Sequence, residues 1–112
     1  MRVCVTGGRD FKGRDALFRV LDALPVTVMI HGKCQRGSDQ FADDWATMNE
    51  IPVEAYAPVW ANGRQAGPLR NERMLRDGRP QLVVGCRGGA GTDDCLRRAR
   101  KMGIEIMMVG WN

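Results

Sequence analysis

Gly88-Gly89-Ala90-Gly91-Thr92, with Asp93 and Asp94 behind it, is the stretch of this chain best suited to chemistry, and that chemistry is anion binding. Glycines let the backbone come close to an anion and reach positive φ. The amides that open a helix then donate to it, and the Thr92 hydroxyl adds a further donor. A tight turn with a helix cap asks for similar residues, so a phosphate cradle and a plain turn both stay open for this run taken alone. No Lys-Ser/Thr pair closes the run, and the first strand is not followed by a full dinucleotide fingerprint. ATP hydrolysis is therefore not expected.

Gly7-Gly8-Arg9-Asp10 is a weaker signal of the same kind, since strand-to-helix turns often take glycine, but Arg9 there can grip a phosphate bidentately. Gly37 closes a loop that starts at His31, and Ser38 and Asp39 after it are both good N-terminal caps. Arg70 and Asn71 head a later helix. A surface position explains them, and the functional alternative turns Arg70 into a cleft toward a phosphate or a sugar hydroxyl. Trp45 falls on the apolar face of its helix and reads as core, whereas Trp60 lies in a loop where it could stack on a base.

These residues need a frame that brings their loops together. Arg2 to Thr6 reads as a strand closed by glycines, and Arg14 to Leu24 carries Leu17, Val20, Leu21 and Leu24 at helical spacing until Pro25 stops it. Val26 to Ile30 is an apolar run fit for a central strand, Ser38 to Asn49 a helix, and Ile51 to Ala57 a strand with Pro52 at its start. Pro58 to Gly67 is a loop, and Pro68 is placed to open the helix that carries Arg70, Asn71, Met74 and Leu75. Gln81 to Gly85 is a strand, Cys86 to Gly91 a turn, Thr92 to Met102 a helix capped by Gly103, and Ile104 to Val109 a last strand. The alternation predicts an α/β fold, a three-layer sandwich around a mostly parallel sheet of about five strands. Its ligand belongs beyond the C-terminal strand ends, where the loops after the first, second and fourth strands should converge.

Composition sets the bounds. The 112 residues suit one domain with a core of its own, and 44% hydrophobic with 27% charged residues is ordinary for a globular protein. A net charge of +4 favours anionic partners without naming one. Arg97, Arg98, Arg100 and Lys101 suit either a solvated helix end, where the dipole welcomes them, or a functional basic patch. Cys4, Cys34, Cys86 and Cys95 lack paired zinc-ribbon spacing, and no signal peptide precedes the first strand, so reduced thiols and a cytoplasmic setting are expected. His31 and Cys34 are the only pair that could begin a metal site and have no second histidine beside them, so no metal and no cofactor are expected. No apolar run is long enough to cross a bilayer.

Val5-Thr6-Gly7-Gly8-Arg9-Asp10-Phe11, His31-Gly32 with Arg36-Gly37-Ser38-Asp39, Trp45-Ala46, Ala66-Gly67-Pro68 with Arg70-Asn71 and Met74, and Gly88 to Thr92 with Asp94 together resemble the small YspA/YpsA-related branch of the SLOG superfamily. The resemblance spans nearly the whole chain. It implies a Rossmann-like fold and a single nucleotide-binding domain over residues 1–112. Relatives in that superfamily include the Lonely Guy phosphoribohydrolases, ligand sensors and the DNA-processing protein A, so the fold does not settle the function.

In the hydrolase branch the glycine turn is followed by a catalytic carboxylate, and an arginine on a neighbouring helix completes the site. The resemblance carries these roles onto Asp94 and Arg70, and phosphate binding onto the glycine turns with Gly37, Ser38, Asp39 and Asn71. A carboxylate can stabilise the positive charge that builds at an anomeric carbon when a ribose-base bond breaks. Asp94 is one carbon shorter than the family glutamate, and Cys86-Arg87 replaces the pair expected before the glycines. These departures favour a sensor or sequestering module for a nucleotide-derived ligand over a hydrolase of nucleoside 5′-monophosphates. Nucleic-acid binding ranks last, because aromatics are only 6% of the chain and do not interleave with basic residues. The family also implies a homo-oligomer, for which Met107, Met108 and Trp111 offer apolar surface if the two methionines are not core.

Overall fold

β1 (Arg2–Thr6) is apolar toward both sides, and Val3, Cys4 and Val5 have no solvent exposure in the computed structural model, which describes residues 1–110. A strand like this needs helices over both faces. It lies at the centre of a five-stranded, wholly parallel sheet ordered β3-β2-β1-β4-β5, with β2 (Val28–His31), β3 (Val53–Ala55), β4 (Leu82–Gly85) and β5 (Glu105–Met108). Register pairs Cys4 with Ile30 on one side and with Val83 on the other.

The period of two along β1 and β4 divides the core into two layers. Val3, Val5, Leu82 and Val84 pack with Leu17 and Leu21 of α1 (Arg14–Asp22) and with Ala42, Trp45 and Ala46 of α2 (Ser38–Met48). Cys4 and Val83 face the other way, onto Met74 and Leu75 of α3 (Ala66–Gly78) and Cys95, Leu96 and Ala99 of α4 (Ala90–Lys101). This is a Rossmann-like three-layer sandwich. The chain builds β1, β2 and β3 outward in one direction and returns across the other face to β4. The C-terminal ends of β1 and β4 therefore flank the point where the winding reverses, the place such sheets use for ligands.

Several boundaries differ from the sequence expectation for local reasons. The loop after β3 contains a 3-10 helix (Trp60–Gln65) with Gly63 at φ 58° inside it. Helix α3 begins two residues before Pro68, which sits in the first turn, where a missing amide costs no intrahelical bond. Pro52 stays just outside β3, its carbonyl accepting the Met29 amide at 2.9 Å. Gly103, at φ 75°, follows α4 in the left-handed conformation that ends helices. Trp45 is core as expected, with its indole nitrogen donating to Asp22 at 2.8 Å.

Candidate functional site

The loops after β1, β2 and β4 meet at that reversal point and are pinned together through Gly8. Its amide donates to the Arg87 carbonyl at 2.9 Å, and its carbonyl accepts the Ser38 amide at 3.3 Å. Glycine is required on either side of it. A Cβ on Gly88 would lie 2.7 Å from the Gly8 nitrogen and overlap the Thr92 hydroxyl, and one on Gly37, which sits at φ 73°, would overlap the Gly8 carbonyl.

Above this junction opens a cleft of about 820 Å³, large enough for a nucleotide-sized ligand. Of the residues singled out from sequence, Gly7, Gly8, Arg9, Asp39, Arg70, Asn71, Gly89, Gly91 and Thr92 line it. Gly37, Ser38, Gly88, Ala90 and Asp94 do not. Gly37 and Gly88 hold the loops together, Ala90 is the first residue of α4, and Ser38 presses its buried hydroxyl against Gly7. That hydroxyl has no hydrogen-bond partner among the described residues.

The N terminus of α4 opens onto the cleft. Its N-cap is Gly89, no side chain caps it, and Gly89, Gly91 and Thr92 line the cavity wall. The first amides of a helix have no intrahelical acceptor and carry the positive end of the dipole, so an anion fits here. Helix α2 also starts on an uncapped glycine, Gly37. Ser38 and Asp39 are thus not caps, contrary to expectation. Asp39 points its carboxylate back to the Cys34 amide at 3.1 Å and into the cleft. Burial pushes this carboxyl above its ordinary value, an effect only partly offset by the Cys34 amide and the nearby Arg70 charge.

Arg70 and Asn71 form a bracket across the cleft wall. Arg70 donates from Nη1 to the Gly32 carbonyl at 2.5 Å and from Nε to Asn71 Oδ1 at 2.9 Å. The Asn71 amide donates in turn to the Gly91 carbonyl at 3.1 Å and to Asp94 Oδ2 at 3.0 Å, tying α3 to the start of α4. Asp94 is itself buried behind the cleft, where Arg97 donates to Oδ1 at 2.7 Å and Arg98 to Oδ2 at 2.9 Å. Burial alone would raise its carboxyl, but the bonds from Asn71 and Arg98 outweigh that and hold it below its ordinary value. Two cations of the late-helix cluster are therefore engaged in a structural network.

His31 has both ring nitrogens occupied. Nδ1 accepts the Lys33 amide at 3.0 Å, which leaves the proton on Nε2 to be donated to Asp43 at 2.8 Å. No three His, Cys, Asp or Glu gather as a metal set among the described residues. Beneath the site, Cys86 touches the position a Gly7 Cβ would occupy, and burial pushes its thiol up to about 12, so it stays protonated and inert.

Lys33 and Gln35 also line the cleft without having been singled out from sequence, and Arg36, noted only as part of the family motif, lines it beside them. For Lys33 and Gln35 the only signal is their place in the loop after β2. Trp60, 69% exposed, stands on the cleft rim where a base could stack. Beyond Gly8 and Gly89 a second cavity of about 610 Å³ adjoins the first, edged by Arg9, Lys12 and Arg87.

A family model described as YAcAr, the YspA, cpYpsA-related SLOG family, matches residues 1–63, the segment that holds the β1 and β2 loops. Gene 61 protein of Mycobacterium phage D29 is 37% identical over 122 aligned residues, covering 97% of this chain and 96% of that protein.

Proposed function

The chain belongs to the YspA, cpYpsA-related SLOG family, and from that premise we propose that it binds a nucleotide or nucleotide-derived phosphorylated ligand at the C-terminal edge of the sheet, as a sensor or sequestering module. The observation that carries this reading is the uncapped start of α4 at Gly89, Gly91 and Thr92, open to a cleft that Arg9 and Arg70 also line. The ligand's phosphate takes the α4 amides, the arginines balance its charge, and Trp60 covers the base.

Binding without turnover is favoured over hydrolysis because both oxygens of Asp94 are already engaged and its carboxylate lies outside the cleft. In this reading Asp94 is a positioning residue that steadies the α4 N terminus through Asn71. The test is a panel of nucleoside mono-, di- and cyclic phosphates, following melting temperature and base release in the same samples. A bound ligand at a hundred times its Kd adds about 2.7 kcal/mol of stability whether or not chemistry follows. Stabilisation without free base is the expected result. Free base that disappears in Asp94→Asn would establish the phosphoribohydrolase instead, and no stabilisation by any phosphate would overturn the cleft assignment.

A further inference from the structure

Among the described residues Asp39 is the one buried carboxylate that lines the cleft, 7% exposed, beside Arg9, Arg70 and the start of α4. No lysine, arginine or histidine forms an ion pair with it among the described residues, whereas Asp94 has two arginines. Its hydrogen bonds come from the backbone of its own loop, a buried carboxylate with no ion pair is costly, and perturbed carboxylates in a cleft cluster at functional sites. Burial also raises its pKa against the lowering effect of the Cys34 and Gly32 amides.

We propose that Asp39 is the specificity-determining residue of the cleft, accepting hydrogen bonds from the vicinal hydroxyls of a ribose whose phosphate sits on the α4 N terminus. The proposal rests on the ligand reading above and sharpens it to ribose phosphates with a free diol. Two carboxylate oxygens match two adjacent hydroxyls, and a negative charge here repels a second phosphate from that end of the ligand. The same charge orients the ligand, driving its phosphate toward Gly91 and Thr92 and its sugar toward the β2 loop. A 2-deoxy sugar loses one of these two hydrogen bonds to a charged acceptor, which weakens binding by about tenfold or more.

Isothermal titration of the full chain with inorganic phosphate, ribose 5-phosphate and 2-deoxyribose 5-phosphate tests this. The wild type should bind ribose 5-phosphate at least about tenfold more tightly than the deoxy sugar. Asp39→Asn should abolish that preference, leave phosphate binding in place, and melt no lower than the wild type without ligand. Equal affinity of the wild type for both sugars would overturn the role of Asp39 while leaving the phosphate site standing, and needs no variant to fold. A preference that survives in Asp39→Asn would overturn it as well. No binding by any of the three phosphates would overturn the cleft reading itself, and the Asp39 assignment with it.

Discussion

Asp39 and Asp94 are the same side chain under opposite electrostatic conditions, and each makes a prediction about pH. Asp94 is held below its ordinary value in the folded state, so its contribution to stability is complete above the unfolded carboxylate range and is lost as pH falls through the folded value. Asp94→Asn should therefore lower stability at neutral pH by roughly 1–2 kcal/mol, the exposed Arg97 pair being discounted. In urea titrations the gap to wild type should close in acid, and a gap constant down to low pH would refute the ion-pair account. Asp39 has the opposite sign. Its raised value means that its stabilising contribution is present below the ordinary aspartate range and is lost as pH rises through the folded value. Ligand-free Asp39→Asn should thus melt at or above the wild type at neutral pH, while losing ribose discrimination. A residue whose removal improves stability and harms binding serves the ligand rather than the fold.

The loops have their own predictions at the scale of elements. Gly37 holds φ 73° and ψ −145°, a region essentially restricted to glycine, with the Gly8 carbonyl where a Cβ would stand. Gly37→Ala should cost at least about 1–3 kcal/mol from backbone conformation alone, read as a fall in melting temperature. Gly88→Ala should act more locally, because its methyl displaces the Thr92 hydroxyl and the Gly8 amide. Phosphate affinity should fall more than stability does, and unchanged phosphate binding in that variant would remove the α4 turn from the site. Helix α4 was legible from Thr92 onward because its apolar face recurs at helical spacing. Its true start at Ala90 was not, since two small residues carry no periodic signal. Ser38 and Asp39 were misread as caps for a related reason. Their residue types suit capping, but the close approach of Gly8 places a glycine at the N-cap and frees both side chains for other contacts.

For the molecule as a whole, the open question is the edge of the sheet. β5 is an edge strand on which Met107 and Met108 are 40% and 47% exposed, so they are surface rather than core, while Trp111 lies outside the described residues. The homo-oligomer that the family implies remains a proposal, and this strand is where it is most simply tested. Light scattering should give a multiple of the 12.5 kDa chain mass, and Met108→Lys should return the monomer with its cleft intact. A wild-type monomer at micromolar concentration would retire the idea. No helix among the described residues is long and apolar enough to cross a membrane.

From its own residues the chain declared five strands, four long helices and the glycine turns between them, because periodicity and glycine placement are local properties. It also singled out Arg9, Arg70 and the Gly88 to Thr92 turn as anion-binding material. Which acidic residue faces the cleft was not legible. Asp39 and Asp94 both follow a glycine turn at the head of a helix; the arginines three and four residues after Asp94 were a local hint that it is paired, but nothing along the chain showed which of the two faces the cleft. Tertiary structure decides it, because Asp94 is turned away from the cleft onto Asn71 of another helix, whereas Asp39 accepts the Cys34 amide of its own loop and lines the cleft that Arg70 also lines. The difference lies in which partners the fold brings within hydrogen-bond distance, and the local pattern of a sequence does not carry that information.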